Sequence, residues 1–368
     1  MALIWKAKDE TELIEHLQAA LMALPAMTLV STEQGVPIRK DHVIHEADAV
    51  VKITVNGEPH TFLIEAKKSL FPRDAREAVW KVRKLQELLL DTQGREAVPL
   101  IASGAISDGA REFLQNEGVS YFDDGGSLFL TDKGLFVLRD RPASKGATRT
   151  ERSLFTGRRT QVLLGLFQEP KSWHRVQELS EKAFASTATV SQVFTELQRR
   201  EWVSVRGRGP KKERKLVQPS ELLDAWVKNV TASQKPRLRR FYVPSLKAEE
   251  LMLKINQICE SKGIAYAITG EWAAQLYSPF LSSIGQVRLR FPNDRHLSEL
   301  TSELKAREVN EGSNLAVIES ASYGDFLFRE RVREVWLANP IVVYLDLLQG
   351  EGRAKEMADH LRRERIQF

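Results

Sequence analysis

The chain has 368 residues, enough for two or three domains that each bury a core, and its 42% hydrophobic and 28% charged content is that of an ordinary soluble globular protein. No apolar run approaches the roughly 18–20 residues of a membrane span, and the start Met1-Ala2-Leu3-Ile4-Trp5-Lys6 lacks the pattern of a secretory leader. Cys259 is the sole cysteine, which excludes an intrachain disulfide and a cysteine-rich zinc site and points to the cytoplasm, and the formal net charge is +5.

In chain order, residues 9–24 carry apolar positions at helical spacing with acids in the first turn. Residues 48–55 read as a strand, Asn56-Gly57 as a two-residue hairpin turn and 61–66 as the return strand. A helix is predicted over 73–90, a buried strand over 98–102, a helix capped by Ser107 through Asn116, and a strand over 119–122. Helices and strands alternating after a hairpin predict one α/β domain over 1–140, followed by a turn-rich linker over 141–158. Helix, helix, helix and hairpin then follow in a central domain over 159–232, and 233–368 alternates helix and strand again as a third domain.

The Asn56-Gly57 turn sets the register of the first hairpin: partner numbers add to 113, so Asp48 falls opposite Glu65. Opposed side chains share a face with Cβ atoms roughly 4.5–5.5 Å apart, and the period of two adds Lys67 to that face. Two carboxylates can grip Mg²⁺, which activates water and neutralises phosphate charge, while a lysine stabilises the oxyanion of phosphodiester cleavage. Asp48, sixteen residues, then Glu65-Ala66-Lys67 resembles the signature of the PD-(D/E)xK nuclease superfamily. The resemblance implies a restriction-endonuclease-like mixed sheet, with Asp48, Glu65 and Lys67 as catalytic residues and Asp48 and Glu65 as the Mg²⁺ ligands. Glu12 or Glu15 on the first helix and Gln86 on the next are candidates for accessory roles.

In the central domain, residues 160–167 and 173–184 supply two helices, and Ser186 caps a third over 186–200. Val190, Val193 and Leu197 recur at core spacing, which turns Thr187, Ala188, Ser191, Gln192 and Thr195 outward, where a recognition helix reads base edges in the major groove. After Trp202-Val-Ser-Val205 comes Arg206-Gly-Arg-Gly-Pro-Lys-Lys212, a Gly/Pro tip between two short strands. It resembles the wing of winged-helix regulators and offers Arg206, Arg208, Lys211 and Lys212 to phosphate or the minor groove. Between Arg199 and Lys215 eight basic residues face only Glu201 and Glu213, which predicts duplex DNA as the partner.

In the third domain, Ala265-Tyr-Ala-Ile-Thr-Gly-Glu-Trp-Ala-Ala274 runs from strand through Gly270 into helix and resembles the opening of nucleotidyltransferase-like domains. The next strand, Gln286-Val-Arg-Leu-Arg-Phe291, has arginines where such domains place metal-binding acids, so transferase activity is not expected. A winged helix joined to this degenerate domain, over about 155–368, resembles the AbiEi-type antitoxins of type IV toxin–antitoxin systems. Some proteins of that group carry an N-terminal nuclease-like domain ending much as Tyr121-Phe-Asp-Asp-Gly-Gly-Ser-Leu-Phe-Leu130 does. The resemblance implies an autoregulatory transcriptional regulator with a possible toxin partner, and a homodimer would suit a palindromic operator. Three expectations remain side by side: a DNA-binding regulator, an Mg²⁺-dependent endonuclease targeted by its winged helix, and an antitoxin acting by contact with a toxin. In the last, the C-terminal domain is dispensable for DNA binding.

Overall fold

A computed structural model describes residues 7–40, 43–141, 154–281, 283–292, 295–320 and 323–368; most of the predicted linker lies outside them. The described chain is mixed α/β, with several sheets and no closed barrel. It divides into two compact units, one of residues 1–153 with 196–201, the other of 154–195 with 202–368.

The first unit is a seven-stranded sheet whose strands neighbour one another in chain order. These are β1 (Met27–Lys40), β2 (Val43–Val55), β3 (Glu58–Lys67), β4 (Val98–Ser103), β5 (Ser120–Asp123), β6 (Leu128–Asp132) and β7 (Leu135–Arg139). The pairs β3–β4 and β4–β5 are parallel and the others antiparallel. Helix α1 (Ala7–Met22) packs Leu13, Ile14, Leu17 and Leu21 on one face, against Val51, Ile53, Phe62 and Ile64. The opposite face, with Val50, Leu63 and Ile101, is covered by α2 (Pro72–Gln93) and α3 (Asp108–Asn116) through Val79, Val82, Leu85, Leu89 and Leu114. With both faces covered, the middles of β2 and β3 are short apolar runs, Ala49-Val-Val51 and Phe62-Leu-Ile64, with Asp48, Glu65 and Lys67 at one end.

Three strands of this sheet were absent from the sequence reading. β1 contains Gly35 and Pro37, residues that argue against a strand, but it lies at the sheet's edge, where a missing N–H leaves no ladder bond unmade. β6 and β7 form a hairpin turning at Lys133-Gly134, with Gly134 at φ +73°.

The second unit opens with α4 (Arg158–Gln168), α5 (Val176–Lys182) and α6 (Thr187–Arg199), followed by a hairpin of β8 (Val203–Arg206) and β9 (Glu213–Leu216). Helix α7 (Pro219–Ala232) leads to a second seven-stranded sheet, made of β10 (Leu238–Tyr242), β11 (Ala267–Thr269), β12 (Val287–Pro292), β13 (Arg307–Glu308), β14 (Leu315–Ser320), β15 (Glu330–Val332) and β16 (Val335–Leu337). Its order is β13-β10-β14-β12-β11-β16-β15. Helices α8 (Ala248–Lys262), α9 (Gly270–Tyr277), α10 (Arg295–Glu303), α11 (Pro340–Leu348) and α12 (Ala354–Leu361) complete it. No helix among the described residues is long and apolar enough to cross a membrane.

Candidate nucleic-acid interface

Helix α6 begins where the sequence places it. The Ser186 hydroxyl accepts the Thr189 amide at 3.1 Å, satisfying one of the free N–H groups of the first turn. Val190, Val193, Phe194 and Leu197 are fully buried, which fixes the rotation of the helix about its axis. Thr187, Ala188, Ser191, Gln192 and Thr195 are all exposed. Arg159 on α4 donates from Nη2 to Gln192 Oε1 at 3.0 Å, so a cation stands beside the amide that would read a base.

The hairpin after α6 is basic but not uniformly free. Arg206 pairs in register with Glu213 and donates to it at 2.6 Å, and its guanidinium lies 4.3 Å from the centre of the Trp173 ring. Arg175 also reaches Glu213, at 3.1 Å. Arg206 therefore shapes the hairpin as well as charging it, a use the sequence reading did not assign. Arg208 and Lys211 project from the tip and are exposed, with Lys212 half-buried behind them. Gly207, at φ +77°, lets the chain turn there, since a Cβ would stand 2.6 Å from the Lys211 carbonyl oxygen. An antiparallel bridge from His174 to Arg214 ties the start of α5 to the hairpin, and the buried His174 ring contacts the Glu169 carbonyl at 3.0 Å.

In the first unit the β2–β3 ladder runs from Val55↔Glu58 to Ala49↔Ile64, the register predicted from the turn. Just beyond it, Asp48 Oδ2 accepts the Ala66 amide at 2.6 Å. Glu65 is fully buried, and Lys67 donates to its Oε1 at 2.6 Å. Lys81 on α2 lies across the same carboxylate, 2.8 Å from Oε1 and 2.7 Å from Oε2. Burial, and then the Glu65 charge, push the Asp48 carboxyl up to about 6. Burial works against the Lys81 ammonium, but Glu65 with Asp48 and Glu10 outweighs it and holds that pKa above the ordinary value.

Two residues of this cluster escaped the sequence reading, and three named there stand elsewhere. The α1 acid that feels Glu65, Lys67 and Lys81 is Glu10, whose carboxyl is raised first by burial and then by Glu65. Glu12 and Glu15 are exposed. Gln86 donates to the Ala97 carbonyl at 2.8 Å and supports the loop before β4, while Lys81, a turn and a half earlier on α2, meets the carboxylate. Helical spacing from Ala78, Val82 and Leu85, all buried, was the signal that could have brought Lys81 to the sheet's polar end. The donors are oxygens, which suits Mg²⁺ held by one or two carboxylates plus substrate phosphate. Among the described residues no group of three or more His, Cys, Asp or Glu side chains is arranged to hold a metal ion.

In the C-terminal sheet, β11 runs through Gly270, at φ +65°, into α9 as predicted, and β12 follows antiparallel to β11. Arg290 on β12 grips Asp346 of α11 with Nε at 2.9 Å and Nη2 at 2.5 Å, and Thr269 donates to the same carboxylate at 2.5 Å. Arg290 is thus held by an ion pair inside the protein. Residues 215–367 match a family model described as transcriptional regulator, AbiEi antitoxin, type IV TA system. The AbiEi match starts inside β9 and takes in the whole C-terminal sheet, so the segment resembles an antitoxin and transcriptional regulator of a toxin–antitoxin system. The exposed face of α6 and the Asp48–Glu65 cluster lie outside the AbiEi match. No curated protein and no solved structure matches the chain.

Proposed function

We propose that the protein is a DNA-binding transcriptional regulator of the antitoxin type, autoregulatory, that grips duplex DNA through a winged helix formed by α4 to β9. The observation that carries the reading is the exposed row Thr187, Ala188, Ser191, Gln192 and Thr195 above the buried Val190, Val193, Phe194 and Leu197, beside the cationic tip at Arg208 and Lys211. Small and amide side chains near a helix N-terminus can enter the major groove and hydrogen-bond base edges, while the tip holds phosphate. The antitoxin half of the reading draws on the AbiEi match, and a toxin partner follows from that description alone. The test is retardation of duplex DNA from upstream of its own gene. Arg208→Ala and Lys211→Ala are expected to weaken binding to every sequence and to flatten its salt dependence by about one unit each. Gln192→Ala is expected to relax base preference while sparing affinity for random DNA. Failure to retard any duplex at low salt defeats the reading.

A second reading, an Mg²⁺-dependent endonuclease, is favoured by the convergence of Asp48, Glu65 and Lys67 at the end of the β2–β3 hairpin. Asp48 and Glu65 would hold the ion, which when bound would activate water and offset charge on the phosphate. Lys67 and Lys81 balance the buried Glu65 charge, and both keep part of their side chains in solvent, where a scissile phosphate would meet them. Plasmid nicking that needs Mg²⁺ and is lost in Asp48→Asn and Lys67→Ala supports it; DNA retardation without nicking leaves the regulator alone.

A further inference from the structure

Arg288 and Arg290 stand two residues apart on one face of β12, and they differ in what they have to bind. Arg290 is engaged by the protein, bidentate on Asp346, with Asp325 at 3.5 Å. Arg288 is as withdrawn from solvent, its side chain 13% exposed, but Glu271 stands 3.9 Å from Nη2, beyond hydrogen-bonding distance. Its Nε is buried and has no hydrogen-bond partner among the described residues. A buried guanidinium with unmet donors is costly to keep unless an acceptor arrives from outside.

The register supplies a place for that acceptor. Arg240 on β10 is paired with Ala316 on β14, and Ala316 with Arg288 on β12. Opposed residues share a face and strands lie about 4.8 Å apart, so the two arginines flank one methyl group across about 10 Å. A cavity of about 480 Å³ opens over them, with Lys235 as a third cation and Leu238 and Ile318 as an apolar side. The Thr269 hydroxyl is turned away to Asp346, which leaves the first amides of the eight-residue α9 without a side-chain cap. Gly270 allows the backbone to press on Arg288, since a Cβ there would meet Arg288 Cβ and Cδ at 3.3 Å. Of the acids on the cavity wall, Asp346 is neutralised by Arg290, while among the described residues Glu271 and Glu351 make long ion-pair contacts of 3.9 Å with Arg288 and Lys235.

We propose that this cavity binds a phosphorylated small molecule of mononucleotide size without a metal ion. Its phosphates lie between the Arg288 and Arg240 forks, and its uncharged part rests on Leu238 and Ile318. Guanidinium forks match phosphate oxygens two at a time, so the protein itself supplies the countercharge. The site does not depend on DNA binding by α6.

Calorimetric titration of the full chain with ATP and with pyrophosphate, both in EDTA, tests the assignment. One saturable site is expected, with ATP tighter than pyrophosphate because it also covers the apolar side. Arg288→Ala should weaken it about tenfold or more, and Arg288→Lys, which keeps the charge but not the fork, somewhat less. Arg240→Ala, at an exposed position that the fold does not need, should weaken it several-fold, and Lys211→Ala should leave it unchanged. No binding of either probe overturns the proposal, as does binding that requires Mg²⁺ or that survives Arg288→Lys and Arg240→Ala intact. Loss with Lys211→Ala would move the anion to the basic hairpin, and pyrophosphate binding as tightly as ATP would remove the apolar half of the site.

Discussion

Asp48 is held where its charge is unwelcome. It is largely buried, faces Glu65, and has one compensating donor, the Ala66 amide; a pKa near 6 follows from burial first and the neighbouring carboxylate second. The folded state therefore binds a proton more readily than the unfolded chain, whose aspartate titrates near 4. Between about pH 4 and 6 stability falls as pH rises, and above that window the full cost, on the order of 2–3 kcal/mol, remains. Asp48→Asn keeps an oxygen for the Ala66 amide and removes the charge. In chelator at pH 7.5 it is expected to melt several degrees above the parent, with the difference vanishing near pH 4. If the pair takes Mg²⁺, the ion should stabilise the parent and not the variant. Equal melting at every pH would show that Asp48 is not repelled. Glu65 is the poorer target, because its removal takes the shared partner from Lys67 and Lys81 and changes three charged groups at once.

At the scale of the element, the basic hairpin depends on one residue without a side chain. Gly207 takes φ +77° directly before Arg208, and the Lys211 carbonyl closes on it. Gly207→Ala forces that turn to open, at about 1–3 kcal/mol paid locally. The buried residues of α6 are untouched, so we expect DNA affinity to fall at least several-fold while thermal melting of the second unit hardly moves. A large fall in melting temperature would show that the hairpin is part of the core. This element was legible in the sequence because Arg206-Gly-Arg-Gly-Pro-Lys-Lys212 is punctuated by turn formers, and α6 because a serine cap and a buried face agree on where it starts. The β2–β3 register was legible for a similar reason: a two-residue turn permits one pairing, and Ala49↔Ile64 has it. Edge strand β1 was not, since Gly35 and Pro37 mask a pattern that edge position makes harmless. Lys81 and Glu10 were not, because a helix's distance from a strand end is set by tertiary packing, which no local period encodes. Nor could spacing reveal that Arg206 would be drawn back onto Trp173 and Glu213.

Across the whole molecule, the sequence reads as three domains, and the packing of the second unit joins two of them. Trp226 on α7 is 5% exposed and stacks on Phe155 at 5.8 Å and on Phe167 of α4 at 6.4 Å. Phe167 in turn stacks on Phe368 at 5.3 Å, Arg362 reaches Asp224 at 2.5 Å, and Gln349 donates to the Val230 carbonyl at 3.1 Å. The first helix of the proposed DNA-binding element thus packs against Trp226, inside the AbiEi-matched segment, and Phe368, one residue past its end. A C-terminal region dispensable for DNA binding, as the toxin-contact expectation has it, does not suit this packing: its removal would uncover the face of Phe167 on which Phe368 stacks. Trp226→Ala is expected to cost about 3–5 kcal/mol, the range for truncating a buried aromatic. Because α4, α5, α7 and the second sheet fall in one compact unit, calorimetry should show them melting together and earlier, with DNA retardation and resistance to proteolysis lost over the same temperatures. Were Trp226→Ala to lower the melting of the C-terminal sheet while DNA binding persisted to the parental temperature, the two parts would be separate folding units.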